Sequence, residues 1–262
     1  MSNIKLHDYQ ENAKVFIKDN PRAGLFLPMG FGKSSTTLKA LEELIEEKKI
    51  GHILVIAPKN IALNTWIDEV DTWNFNIPYE SLITDDDGEL INQKQMMEKY
   101  KKIFSNKKRT LYIINKDRVS YLIENALKYS SSWPFNTIVI DESQSFKSQT
   151  SKRFKSLKKI LPVTKRMILL SGTPAPNGLL DIWAQIYLLD RGKRLEKSMN
   201  KFKIKYFKVT KIINNIPVKY EPLPTAEMEI YNKISDITMA MKDDKVKLPQ
   251  LIVKNFDIKL TK

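Results

Sequence analysis

Two short groups of residues have the types and spacing for polyphosphate chemistry. The first is Leu25-Phe26-Leu27-Pro28-Met29-Gly30-Phe31-Gly32-Lys33-Ser34. It reads as an apolar strand, a glycine loop and a Lys-Ser pair opening a helix, the grammar of a phosphate-binding loop. Backbone N–H groups at the glycines and at the helix N-terminus offer positive partial charge to a polyphosphate. Lys33 is placed to reach the β- and γ-phosphates and the Ser34 hydroxyl to bind Mg²⁺. One anchor departs: the first glycine of G-x-x-x-x-G-K-[ST] falls at Leu27. A strand-to-helix turn needing glycine only for its backbone shares this look, so the rest of the chain must decide.

The second group is Asp141-Glu142, which directly ends the β-branched run Thr137–Ile140. At a strand end the first carboxylate can hold Mg²⁺, and the second can orient and deprotonate an attacking water. Adjacent acids on a solvated loop are ordinary. A pair that closes an apolar strand, in a chain that already has a glycine-lysine loop, is less so.

The elements that position these groups alternate between strand and helix. Residues 6–19 have helical periodicity, closed by Asn20-Pro21. A strand at Gly24–Leu27 precedes the glycine loop, and a helix Lys33–Lys49 follows, with Leu38, Leu41 and Ile45 at helical spacing and Gly51 after it. His52–Ala57 is a near-continuous apolar run, as in a strand buried on both faces of a parallel sheet. A helix to about Trp73, a basic amphipathic helix over 90–108, a strand at Leu111–Ile114 and a helix to about Tyr129 come next. The strand Met167–Leu170 runs into Ser171-Gly172-Thr173-Pro174, then a helix over 178–189. This alternation predicts βα units and a mainly parallel sheet, with any ligand beyond the carboxyl ends of the strands. Asp85-Asp86-Asp87-Gly88-Glu89 lacks the alternating ligand spacing of a calcium loop and reads as a solvated acidic turn.

Composition narrows the classes. The 262 residues, 42% hydrophobic, suffice for one large core or two modest domains. No apolar run approaches the roughly 18 residues a membrane span needs, and the first residues lack a signal peptide's apolar core. With no Cys, disulfides and thiolate zinc are excluded, which fits a reducing cytoplasm. His7 and His52 leave little room for imidazole or metal chemistry. A net charge of +14 points to a polyanionic partner, most often nucleic acid, although a Lys-, Ile- and Asn-rich coding bias gives the same surplus.

Gly30-Phe31-Gly32-Lys33-Ser34, Asp141-Glu142-Ser143-Gln144 and Ser171-Gly172-Thr173-Pro174-Ala175-Pro176-Asn177 follow the order and rough spacing of superfamily-two helicases. More closely, the chain resembles the Swi/Snf-type DNA translocases, especially phage and bacterial members, in which these are motifs I, II and III. Leu6-His7-Asp8-Tyr9-Gln10 is similar to the family's L-x-x-Y-Q opening, and Ala57-Pro58-Lys59 with Trp66 to motif Ia and its following tryptophan. Asn115, Lys147-Ser148 and Asp181-Ile182-Trp183 add individually weak matches.

The resemblance implies an α/β, RecA-like P-loop NTPase lobe with a mainly parallel sheet flanked by helices, using ATP and Mg²⁺. It implies that Gln10 contacts adenine and that Met29, Gly30, Phe31, Gly32, Lys33, Ser34 and Ser35 hold the nucleotide. Ser34 and Asp141 would bind the metal, and Lys33 and Glu142 would be catalytic. Gln144, Ser171, Gly172 and Thr173 would couple nucleotide to DNA, and Pro58, Lys59, Asn115 and Asn177 would lie near the nucleic-acid backbone. Pro28 departs from the acid usual before M-G-x-G-K, and Ser34 from the commoner Thr. Family members carry a second RecA-like lobe with an arginine finger, and no second set of motifs follows Asn177. The expected organisation is therefore a first lobe over 1–190, a basic and mostly helical appendage over 191–250, and a terminal strand or linker over 251–262. The second lobe is expected as a partner in cis or trans, with DNA as the other partner and neither membrane nor structural zinc.

Residues 191–211 hold nine Lys or Arg against one acid, with Phe202, Tyr206 and Phe207 interleaved. They can track a phosphate backbone or pack those aromatics on the lobe, the arrangement that the i, i+4 spacing favours. A non-catalytic module using ATP as a conformational ligand, and an unrelated P-loop kinase, are the competing functional classes. The Ser-Gly-Thr-Pro box argues against the kinase.

Overall fold

The computed structural model describes residues 4–130 and 132–241. The chain opens with helix α1 (Asp8–Asp19), whose first turn is closed by Gln10 Oε1 accepting the His7 backbone N–H at 2.9 Å. Strand β1 (Arg22–Phe26) leads through the glycine loop to α2 (Lys33–Glu46), and β2 (His52–Ala57) follows. A π-turn at Ile61–Thr65 runs into α3 (Trp66–Thr72), then β3 (Tyr79–Ser81) and α4 (Gln93–Ile103). Next come β4 (Leu111–Asn115), α5 (Val119–Tyr129), β5 (Phe135–Ile140), a 3₁₀ turn at Ser143–Phe146 and α6 (Lys152–Ile160). Strand β6 (Arg166–Ser171) leads to α7 (Leu180–Asp190) and α8 (Met199–Tyr206). A hairpin of β7 (Phe207–Ile213) and β8 (Ile216–Pro222), then α9 (Ala226–Ile234) and β9 (Thr238–Ala240), complete the described chain.

Seven strands form one sheet in the order β3-β4-β2-β5-β6-β1-β9, and every pairing in it is parallel. The expected RecA-like α/β lobe is observed, with helices packed against the sheet. Strands β2, β4, β5 and β6 are almost wholly buried, which explains their unbroken Ile, Leu and Val runs. Each fully buried aliphatic side chain there contributes about 1.5–3 kcal/mol. Because the strands are parallel, the loops after β1, β2, β4, β5 and β6 emerge at one edge. At the opposite edge Arg166 donates to the carbonyls of Ile17, Lys18 and Asn20. That guanidinium caps the carboxyl end of α1 and ties it to β6. No helix among the described residues is long and apolar enough to cross a membrane.

The sequence reading needs correction in one region. The described part of the appendage, residues 191–241, is not mostly helical: α8 ends at Tyr206, and β7–β8 form an antiparallel hairpin around Asn214-Asn215. Where the sequence predicts a mixed helix over Glu227–Met241, the helix is α9, which ends at Ile234, and β9 then joins the main sheet beside β1. The reading of Phe202 and Tyr206 as core-facing holds, since both are buried. The terminal strand or linker expected over 251–262 lies outside the described residues. The acidic turn is an Asp85-centred loop, with Asp85 Oδ1 accepting from the Asp87 and Glu89 backbone N–H groups.

Candidate nucleotide and nucleic-acid site

The glycine loop leaves β1 at the loop-bearing edge. Leu27 is fully buried, so the position expected to be glycine is filled by a core side chain. Met29 and Gly30 are exposed, Phe31 turns back into the core, and Gly32 caps α2. Gly30 and Gly32 have φ of 81° and 64°, a left-handed conformation costly for residues with a Cβ. At Gly32 an added Cβ would also stand 2.3 Å from Gln10 Nε2.

Gln10 is buried against this loop. Its Nε2 donates to the Phe31 carbonyl at 3.3 Å, and Tyr9 packs on the Phe31 ring at a centroid distance of 5.5 Å. The L-x-x-Y-Q segment of α1 therefore folds over the loop. Ser34 opens the first turn of α2, and Ser35 is turned inward, its Oγ bonded to the Gly32 carbonyl at 3.1 Å. Lys33 Nζ donates to the Leu27 and Pro28 carbonyls, both at 2.9 Å. Burial lowers the Lys33 pKa, opposed by the charges of Glu142 and Asp141. A half-buried ammonium held by two neutral carbonyls at the N-terminus of α2 suits an anionic polyphosphate.

Asp141 is the last core position after β5. Its Oδ2 accepts the Trp66 indole N–H at 3.0 Å, and its Oδ1 accepts the Glu142 backbone N–H at 2.9 Å. Burial raises its pKa; the Trp66 hydrogen bond and the Lys33 charge act against that. Glu142 has φ 51° and ψ 55°, a left-handed conformation unusual for a side-chain-bearing residue. No group of three His, Cys, Asp or Glu that could hold a metal exists among the described residues. One carboxylate and one hydroxyl are nevertheless a fitting donor set for Mg²⁺, which takes few protein ligands and completes its shell with phosphate and water.

A hydrogen-bonded line joins the acid pair to the end of β6. Gln144 Nε2 donates to Glu142 Oε2, Ser171 Oγ donates to Gln144 Oε1 at 2.8 Å, and the Thr173 backbone N–H donates to Ser171 Oγ at 3.1 Å. Gly172 lies against the glycine loop: an added Cβ would be 3.6 Å from the Met29 backbone nitrogen and 3.7 Å from the Leu27 carbonyl. Motif I, motif II and motif III residues thus meet as the sequence spacing requires. The side chain of Thr173 is exposed.

Pro58 and Lys59 follow β2, and Asn115 ends β4 where it pairs in register with Ala57. These three share one rim of the sheet. Asn115 is buried and its Oδ1 has no partner among the described residues. Asn177 is exposed beyond β6, its backbone N–H bonded to Asp181 Oδ2 at 2.9 Å. The same oxygen accepts from Lys147 Nζ at 3.1 Å.

Sequence reasoning misses two positioning residues. Trp66 appears there only as a motif neighbour, yet its indole bonds Asp141. Gln185, on α7, accepts from Ser143 Oγ at 2.7 Å and donates to the Pro174 and Asp181 carbonyls, tying motif II to the motif III loop. A buried glutamine in the otherwise apolar run of α7 was the available signal.

A family model described as the SNF2-related domain matches residues 17–216. Protein p41 of Acyrthosiphon pisum secondary endosymbiont phage 1 is 31% identical over 241 residues, covering 89% of this chain and 49% of that protein. The chromatin-remodeling ATPase INO80 of Arabidopsis thaliana is 30% identical over 168 residues, covering 62% of this chain and 10% of that protein. Among solved structures, the Sulfolobus solfataricus SWI2/SNF2 ATPase core in complex with dsDNA superposes with a TM-score of 0.66 at 22% identity, covering 92% of this chain and 45% of that one. The chain spans about half the length of the phage relative it matches.

Proposed function

The chain belongs to the SNF2-related domain family, and from that premise we propose that it is the ATP-binding lobe of an ATP-dependent DNA translocase of helicase type. It binds Mg-ATP at the glycine loop and a nucleic-acid backbone along the Pro58, Lys59, Asn115 and Asn177 rim. The observation that carries this reading is the line Glu142–Gln144–Ser171–Thr173, which connects a carboxylate suited to water activation with the loop that leads to Asn177.

Bound Mg-ATP supplies the phosphoanhydride and the divalent charge. Lys33 exchanges the Leu27 and Pro28 carbonyls for phosphate oxygens, and α2 adds its N-terminal amides. Ser34 and Asp141 hold the metal. Glu142, held by Gln144, takes the proton of the attacking water. Gln10, bonded to the Phe31 carbonyl, reads the base from α1.

Hydrolysis needs a second RecA-like lobe. Burial raises the Asp141 pKa and Lys33 is a nearby cation whose charge opposes that, whereas Arg22 and Arg166 begin β1 and β6 at the far edge of the sheet. Transfer of the γ-phosphoryl group calls for a further cation at the developing charge, commonly an arginine from a facing element.

The test compares Lys33→Ala with Glu142→Gln by titrating a fluorescent ATP analogue and by measuring turnover with DNA and a second lobe supplied. Lys33→Ala weakens binding, while Glu142→Gln keeps binding and loses turnover. Unchanged affinity in Lys33→Ala overturns the phosphate-loop assignment. Robust DNA-stimulated hydrolysis by this chain alone overturns the requirement for a second lobe.

A further inference from the structure

The β7–β8 hairpin is the part of the fold that the site does not use and the core does not explain. Beyond Phe207, β7 is exposed along its whole length, and β8 is exposed through Lys219. Its turn residues Asn214 and Asn215 have φ of 48° and 58°, the two positive values of a type I′ turn that holds the strands at native twist. The hairpin, whose register shifts on either side of Lys211, therefore presents side chains to solvent rather than to the lobe.

Those side chains have a definite pattern. Ile212, Ile213 and Ile216 flank the turn and are 61%, 48% and 64% exposed. Lys208, Lys211 and Lys219 lie behind them, against one acid, Glu221. Lys211 is paired directly with Lys219 across the strands. Like charges in that relation repel, and Glu221, whose Oε1 lies 3.3 Å from Lys219 Nζ, is a single carboxylate set against both.

The hairpin root, Phe207, Tyr220 and Pro222, shares a groove of about 380 Å³ with Asn177 and Gly178 of the loop after β6. The hairpin thus springs from beside Asn177, one of the residues proposed to meet the nucleic acid.

We propose that the β7–β8 hairpin grips a DNA duplex, with Lys211 and Lys219 on backbone phosphates and the Ile212, Ile213 and Ile216 tip packed in a groove. The assignment rests on the DNA-translocase reading and adds a contact to it. Protein–protein interfaces are depleted in lysine. Cations on phosphates flanking apolar side chains in a groove are the means by which proteins hold deformable duplexes.

The experiment measures binding of the full chain to a 30-base-pair fluorescent DNA duplex, a length of about three helical turns, across a salt series. Each phosphate contact contributes about 0.9 to the slope of log affinity against log salt. Lys211→Gln/Lys219→Gln therefore flattens the slope by about 1.8 and lowers affinity about 10- to 100-fold near 0.1 M salt, while Lys211→Arg/Lys219→Arg restores both. Ile212→Ser/Ile213→Ser/Ile216→Ser lowers affinity with the slope unchanged. Unaltered thermal unfolding midpoints show that the variants are folded. If both sets bind as the parent chain does, the hairpin is not a DNA contact and the translocase reading stands. If the serine variant alters only self-association in sedimentation, the tip is a protein interface and the proposal fails. If the parent chain shows no salt-dependent duplex binding, the DNA reading falls together with the hairpin.

Discussion

Trp66 and Asp141, both buried, are joined by an indole N–H to carboxylate hydrogen bond of 3.0 Å. The tryptophan begins α3, just after the π-turn that follows Pro58 and Lys59, and the aspartate directly follows β5. The bond therefore spans from the rim proposed for nucleic acid to the carboxylate proposed for the metal. Trp66→Phe keeps most of the packing and removes the donor. Leaving Asp141 Oδ2 buried without it costs about 1–3 kcal/mol of stability. The expected outcome is a lower denaturant midpoint and weaker Mn²⁺ binding, read by electron paramagnetic resonance with nucleotide present. An unchanged Mn²⁺ affinity would show that the indole supports only the core.

Ser171 tests the relay. Ser171→Ala leaves Gln144 without its donor and Thr173 without its acceptor. A neutral hydrogen bond is worth about 0.5–1.5 kcal/mol, so DNA stimulation of turnover falls about 2- to 10-fold. Nucleotide affinity stays near the parent value, because neither Lys33 nor Ser34 touches this line. Equal loss of affinity and stimulation would argue that Ser171 merely shapes the pocket.

Gly32→Ala meets two obstacles: a φ of 64° and a Cβ 2.3 Å from Gln10 Nε2. The left-handed conformation alone costs about 1–2 kcal/mol. Gln10 must then leave the Phe31 carbonyl, so discrimination between ATP and GTP, measured by competition, decreases along with affinity. Retained base selectivity would remove Gln10 from the adenine contact.

The docking of α1 on α2 is pH-dependent. Lys18 Nζ lies 2.6 Å from Glu43 and 2.7 Å from Glu47. Hydrogen bonds from Lys18 and Lys49 hold the Glu47 pKa at about 2, against an ordinary value of 4.5. Burial pushes Glu43 up, but the hydrogen bonds from Lys18 and Lys14 outweigh it and leave it lowered. A folded-state pKa below the unfolded one stabilises fully above about pH 4.5 and is lost as the pH falls toward 2. The difference in melting temperature between the parent chain and Lys18→Met should therefore shrink across that window. A difference that persists at pH 2 would assign the effect of Lys18 to its aliphatic stem.

The parts of the fold that the sequence disclosed are those where burial imposes a pattern. His52–Ala57 and Thr137–Ile140 are buried on both faces and so read as strands, and the glycines and lysine of the loop announce themselves by type. The hairpin stayed hidden because it faces solvent on both sides, so no apolar alternation marks it, and the helical spacing of Phe202 and Tyr206 ran on into it. Strands β3 and β9 have three residues each, too few to carry a period. The Trp66–Asp141 and Ser143–Gln185 bonds join residues 75 and 42 positions apart, beyond the reach of any local pattern.

Strand β1 carries the glycine loop, yet it pairs with β6 and β9, so its register partners run from Met167 to Ala240. Strands β2, β4 and β5 find one another among much nearer neighbours. During synthesis the apolar Ala23–Leu27 run therefore has no strand beside it until β6 has left the ribosome, and only one until β9 has. A chain slowed before β6 is thus most exposed to aggregation at the strand that carries its glycine loop.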